Sequence, residues 1–183
     1  YTPAELVARC RVQDVQVCIA LLWGGEAYWS VDFPHWTGRN ADHSASTATT
    51  RLHYDLEISG FPADQGGHLV VLGADSYRFS ATPDALRSGV PITRWARRER
   101  AVIGMAHGGA WAQGGEVAAW GPREFPVHVA RGHASYLAFE DGLYHGMELL
   151  SALWSSGFRV AVTGASDFYC SPVEVGQTRT RAL

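Results

Sequence analysis

Leu143-Tyr-His-Gly-Met147-Glu-Leu-Leu150-Ser-Ala-Leu-Trp154-Ser-Ser-Gly157-Phe158-Arg-Val-Ala-Val-Thr163-Gly164-Ala-Ser-Asp167 reads as one helix and the strand it feeds. Leu143, Met147, Leu150 and Trp154 recur at helical spacing, which predicts an apolar stripe over Leu143–Ser156 with Gly157 as its stop. Phe158–Thr163 then reads as a strand, and Asp167 follows on the small-residue turn Gly164-Ala-Ser. The same unit recurs upstream. Ile92–Arg100 reads as a helix whose basic end suits a helix C-terminus, and Ala101–Ala106 as the strand after it. A helix over Phe125–Arg131 leads to a strand over Ala134–Glu140. Further strands are predicted over Val15–Trp23, Leu52–Ser59 and His68–Leu72, with a short helix near Pro83–Ser88. Repeated helix-to-strand alternation with apolar strands predicts an α/β protein, a mainly parallel and fully covered sheet or barrel.

The chain opens on a helix. Thr2-Pro3-Ala4-Glu5 places an N-cap hydroxyl, a proline at the first helical position and a glutamate at the third, so a helix is expected from residue 3 to about Gln13. With no strand before it, the order reads as a unit entered in its middle, part of a longer protein. At 183 residues and 46% hydrophobic composition, one domain with one sizeable core is expected over 1–183. The net charge is -3, and all 15 cationic side chains are arginine, a bias that fits GC-rich coding. A mildly acidic balance gives no support for broad nucleic-acid binding. Cys10, Cys18 and Cys170 lack paired or zinc-knuckle spacing; Cys10 and Cys18 read as small buried hydrophobes. No apolar run approaches the roughly 20 residues of a membrane span. No signal peptide precedes the first helix, which leaves a cytoplasmic location open alongside a secreted or periplasmic one after leader removal.

Four potential metal ligands, Glu57, His68, His107 and Asp167, sit at or just beyond the ends of apolar runs beside glycine or small residues. Such groups delivered repeatedly to strand ends can converge on one mouth of a sheet or barrel. Imidazoles mixed with carboxylates suit zinc, manganese or iron, and open coordination positions favour Lewis-acid hydrolysis over a structural role. Plainer readings stand beside these: Glu57 as the partner of an arginine, either histidine as a structural residue, Asp167 as an N-cap. His53, four residues before Glu57, faces the same way on a strand. His35 and His43 fall in a long polar loop, and His128, His133 and His145 read as surface groups or supports of the site. The aromatic stretch Trp23–Trp36 is either a substrate wall or a core layer, and Arg39 either an anion contact or a solvated side chain.

In order along the chain, Glu57, Gly67-His68-Leu-Val-Val-Leu-Gly73, Ala101-Val-Ile-Gly-Met-Ala-His107 and Gly157-Phe158-Arg159-Val-Ala-Val-Thr-Gly164-Ala-Ser-Asp167 resemble successive motifs of the CehA/McbA-type metallohydrolases, within the PHP (polymerase and histidinol phosphatase) superfamily. The resemblance runs from about Tyr1 to the end. It implies a distorted seven-stranded β/α barrel, here N-terminally truncated, with one to three divalent ions (Zn, Mn or Fe) at its C-terminal mouth. Glu57, His68, His107 and Asp167 match the family's ligands, Asp167 and His107 are the residues it marks for catalysis, and Glu140 matches an outer supporting position. The family's opening His-x-His falls upstream of Tyr1, its Asp-His motif falls near Leu22–Gly25, here Leu-Trp-Gly-Gly, and its closing Asp-x-His becomes Asp167-Phe168-Tyr169.

The resemblance implies a hydrolase that turns a metal-activated water on an ester, carbamate or related bond of a small organic substrate. The wider superfamily implies a phosphoesterase with the same ligands as the alternative. The displaced motifs imply a third, a non-catalytic barrel with a binding or structural role.

Overall fold

The first helix forms as its cap dictates. In α1, Pro3–Val12, the Glu5 N–H donates to Thr2 Oγ1 at 3.3 Å and the Thr2 N–H donates to Glu5 Oε2 at 2.7 Å, so the capping box is complete. The computed structural model describes residues 1–24, 33–36, 40–59, 66–77, 87–110, 118, 121–140, 146–168 and 173–182. After α1 come β1 (Val17–Gly24), β2 (Arg51–Ile58), β3 (Leu69–Leu72), α2 (Val90–Arg98), β4 (Val102–Met105), α3 (Phe125–Ala130), β5 (Tyr136–Phe139), α4 (Met147–Ser155) and β6 (Ala161–Gly164). The expected helix near Pro83–Ser88 falls largely outside the described residues, as do Arg39, Leu143, His145, Tyr169, Cys170 and most of the aromatic stretch after Gly24.

The strands form a mixed α/β architecture, a curled six-stranded half-barrel in the order β1-β2-β3-β4-β5-β6. The pairs β1–β2, β4–β5 and β5–β6 are parallel, whereas β3 is antiparallel to both β2 and β4. Five strands therefore share one direction and β3 alone is reversed. The N-terminal end of β3 consequently lies at the same edge as the C-terminal ends of the other five.

Register sorts the side chains into two faces. Ile58, Leu69, Met105 and Leu137 align across β2 to β5 on the helix-bearing face. There they join Leu6, Val7 and Cys10 of α1, Ile92, Trp95 and Ala96 of α2, Phe125 and Val129 of α3, and Leu149, Leu150 and Leu153 of α4 in one core. Burying each large aliphatic there contributes about 1.5–3 kcal/mol. The inner face carries Trp23, Glu57, Val70, Gly104, Tyr136 and Ala161 in one aligned row. Tyr136 lies across Gly104, where any Cβ would strike its ring, so the glycine is what lets an aromatic ring lie flat on this face. Val70, Ala106, Tyr136 and Ala138 form a second, smaller apolar cluster on this side.

Two expectations need correction. The sheet is not fully covered: Val17 and Ile19 of β1 are 60% and 45% exposed, and β6 is nowhere fully buried. The α4 stripe is also different, because Leu149, Leu150 and Leu153 face the core while Met147 and Trp154 remain exposed. This helix is apolar on most of its circumference, so spacing alone did not choose the buried side. Among the described residues no helix is long and apolar enough to cross a membrane.

Candidate metal centre

Glu57 is the seventh residue of β2 and points to the inner face, at the edge where strand ends gather. His68 reaches the same edge from the opposite chain direction, since it immediately precedes the reversed strand β3. Gly67 makes that entry possible: its φ is +84°, and a Cβ there would collide with the Gly121 carbonyl oxygen and the end of Met105. His107 follows β4 by two residues and Asp167 follows β6 by three. Both adopt left-handed backbone, φ 58° and 47°, a conformation costly for residues with a Cβ and often found at functional sites.

Three of the four side chains meet. His68 Nδ1 lies 2.7 Å from Glu57 Oε1 and 2.9 Å from His107 Nε2, and His107 Nε2 lies 3.6 Å from Glu57 Oε1. Bonds of about 2.0–2.1 Å to a tetrahedral ion would set ligand atoms roughly 3.3 Å apart, close to this triangle. The trio fits a cation for a second reason. His68 Nδ1 faces a carboxylate and an imidazole nitrogen at once, and a single proton there cannot make a full hydrogen bond to each. A cation between the three satisfies all their lone pairs together.

The surroundings also call for positive charge. Glu140, buried at the end of β5, accepts the His107 N–H at 3.0 Å and lies 3.4 Å from its Nδ1, while its other oxygen is buried with no hydrogen-bond partner among the described residues. His107 thus stands between two buried carboxylates. Burial alone would lower its pKa, but hydrogen bonds to Glu140 and Glu57 outweigh burial and raise it to about 10. For Glu57, burial works upward, and the hydrogen bonds from His107 and His68 prevail to bring it down to about 2. Without a metal, a proton on His107 supplies the cation that these carboxylates demand.

Asp167 stands beside the trio, and among the described residues the mutually close donor atoms are those of Glu57, His68 and His107. Burial pushes its carboxyl above its ordinary value; His107 and His68 oppose that, while Glu57 and Glu140 reinforce it. His53 does face the same side as Glu57, but it lies between Asp42 at 3.6 Å and Asp55 at 3.9 Å, two same-face positions further down β2. Asp55 itself accepts the Gly73 N–H at 2.6 Å, and burial raises its pKa to about 6. This Asp42–His53–Asp55 string was not foreseen beyond His53, because Asp42 lies in the loop before β2.

The other histidines are dispersed. His35 and His43 pack around Tyr54, and His133 Nδ1 meets Thr93 Oγ1 at 2.9 Å. His128, expected as a surface group or a support of the site, is fully buried in α3, with Glu124 at 3.3 Å. In the aromatic stretch, Trp36 packs on Tyr77 against the core, as the core-layer reading has it for that residue. No family model, curated protein or solved structure among those compared matches this chain.

Proposed function

We propose that this chain is the metal-binding part of a hydrolase of the CehA/McbA type within the PHP superfamily, its half-barrel belonging to a seven-stranded barrel. The observation that carries the reading is the convergence of Glu57, His68 and His107 at one strand-end edge, from strands of opposite direction. Glu57 Oε1, His68 Nδ1 and His107 Nε2 would hold the ion, with Asp167 beside them. A bound zinc, manganese or iron ion supplies Lewis acidity and makes water nucleophilic near neutral pH.

The chain's own groups do the rest. Glu140 fixes the His107 ring through its backbone N–H and leaves Nε2 aimed at the centre. Asp167 accepts a hydrogen bond from the attacking water and orients it. The substrate is a small organic ester, carbamate or related molecule, and no nucleic acid is expected.

Metal analysis of the purified chain after supplementation tests the reading first. About one equivalent or more of transition metal, lost in His68→Ala and His107→Ala, is expected; less than about a tenth of an equivalent overturns it in favour of a non-catalytic barrel. Matched aryl ester and aryl phosphate substrates then divide the carboxyl or carbamate hydrolase from the phosphoesterase.

A further inference from the structure

The end of the sheet opposite the metal-ligating trio concentrates positive charge in a chain of net charge -3. A cavity of about 400 Å³ opens there, where the chain enters β4, β5 and β6, lined in part by Arg97, Val102, His133, Ser135, Phe158 and Arg159. Arg94 and Arg131 extend the field: with burial, the charges of Arg97, Arg131, His128 and Arg94 hold His133 below its ordinary pKa. Arg94, Arg97, Arg131 and Arg159 are all exposed, and among the described residues the arginine ion pairs involve Arg9 and Arg51 instead.

Helix C-termini attract cations, and α2, α3 and α4 all end near this edge. Each such end carries about half a negative charge, so three of them balance fewer than two of the four guanidinium groups. The surplus lies at a cavity whose remaining lining, His133 and Ser135 apart, is apolar or glycine. Phe158 is 37% exposed and Val102 51%, large apolar side chains left to water beside the arginines.

Cationic forks next to an exposed apolar wall define a ligand by its chemistry. We propose that this cavity binds a small organic anion, its carboxylate or phosphate head held by Arg97 and Arg159 and its apolar body against Phe158 and Val102. The site is independent of the hydrolase reading, since it lies at the far edge of the sheet from Glu57, His68 and His107.

Amide chemical-shift titrations of the full chain with phenyl phosphate, benzoate, inorganic phosphate and benzyl alcohol test it. Saturable shifts at Arg97, His133, Ser135 and Phe158 are expected with phenyl phosphate or benzoate, with affinity at least about ten-fold above that for inorganic phosphate or benzyl alcohol. The double variant Arg97→Gln/Arg159→Gln, at exposed positions, should keep the melting temperature and lose about ten-fold or more in affinity. The bound anion should also move the His133 titration upward, because it offsets the arginine field. Absence of saturation by about 10 mM, equal binding by the double variant, or inorganic phosphate binding as well as phenyl phosphate would each overturn the proposal.

Discussion

His107 owes its place to its neighbours more than to its own preferences. Its φ of 58° is held by the hydrogen bond from its N–H to Glu140, and its ring sits between Glu140 and Glu57. Removing the imidazole takes the cation from between two buried carboxylates and leaves Glu57 with His68 alone and Glu140 without its histidine partner. His107→Ala is therefore expected to destabilise the metal-free chain by about 3–5 kcal/mol, and His107→Ala/Glu140→Ala to recover part of that loss, as read by denaturant unfolding. A double variant no more stable than the single one would show that the carboxylates do not strain the site. Gly67 makes a second test. Gly67→Ala must place a Cβ against the Gly121 carbonyl at φ +84°, so a cost above about 1 kcal/mol is expected, with weakened zinc binding as His68 shifts. Both histidines were legible in the sequence from their glycine neighbours. The Glu140 hydrogen bond to the His107 backbone was not, because it joins residues 33 apart in the chain.

Among the elements, α1 was the most legible, since its signals are local. Thr2→Ala should cost about 1 kcal/mol, measured as earlier fraying of α1 in amide exchange. The backbone and side-chain hydrogen bonds from Thr2 hold the Glu5 carboxyl below its ordinary value of 4.5. A depressed carboxyl contributes stability above its unfolded pKa, so the cap's contribution should be intact above about pH 4.5 and fade as acid carries the pH down through the folded value. Exchange protection of α1 that stays constant through that acid range would refute the assignment. For α4 the predictions concern its face. Leu150→Ala should cost about 2–5 kcal/mol and Met147→Ala no more than about 0.5 kcal/mol, whereas a shared stripe would require both to be costly. Strand positions were legible to within three residues from apolar runs. The reversal of β3 was not, because a four-residue apolar run has no direction until its neighbours pair with it.

For the molecule as a whole, the trio links metal to folding. An ion that binds only the native chain adds about 2.7 kcal/mol at a hundred times its dissociation constant. For a chain of this size, each kcal/mol corresponds to roughly 2–4 °C in melting temperature. Zinc or manganese should thus raise the melting temperature by several degrees, EDTA should reverse it, and His68→Ala should abolish it. An equal shift in wild type and His68→Ala would place the ion elsewhere. The half-barrel also leaves Val17 and Ile19 exposed on its inner face, so the apolar core is built chiefly on the helix-bearing side.

The sequence alone determined the α/β alternation, the capped first helix, the apolar strands and the identity of the candidate ligands. Each of those rests on local spacing: capping chemistry within one turn, or apolar runs a few residues long. The tertiary structure decided which ligands meet. Glu57, His68 and His107 converge because β3 runs against its neighbours and brings the residue before it to the edge where the other strands end. Strand direction is set by long-range pairing and by burial on the helix-bearing face, and no local spacing records either.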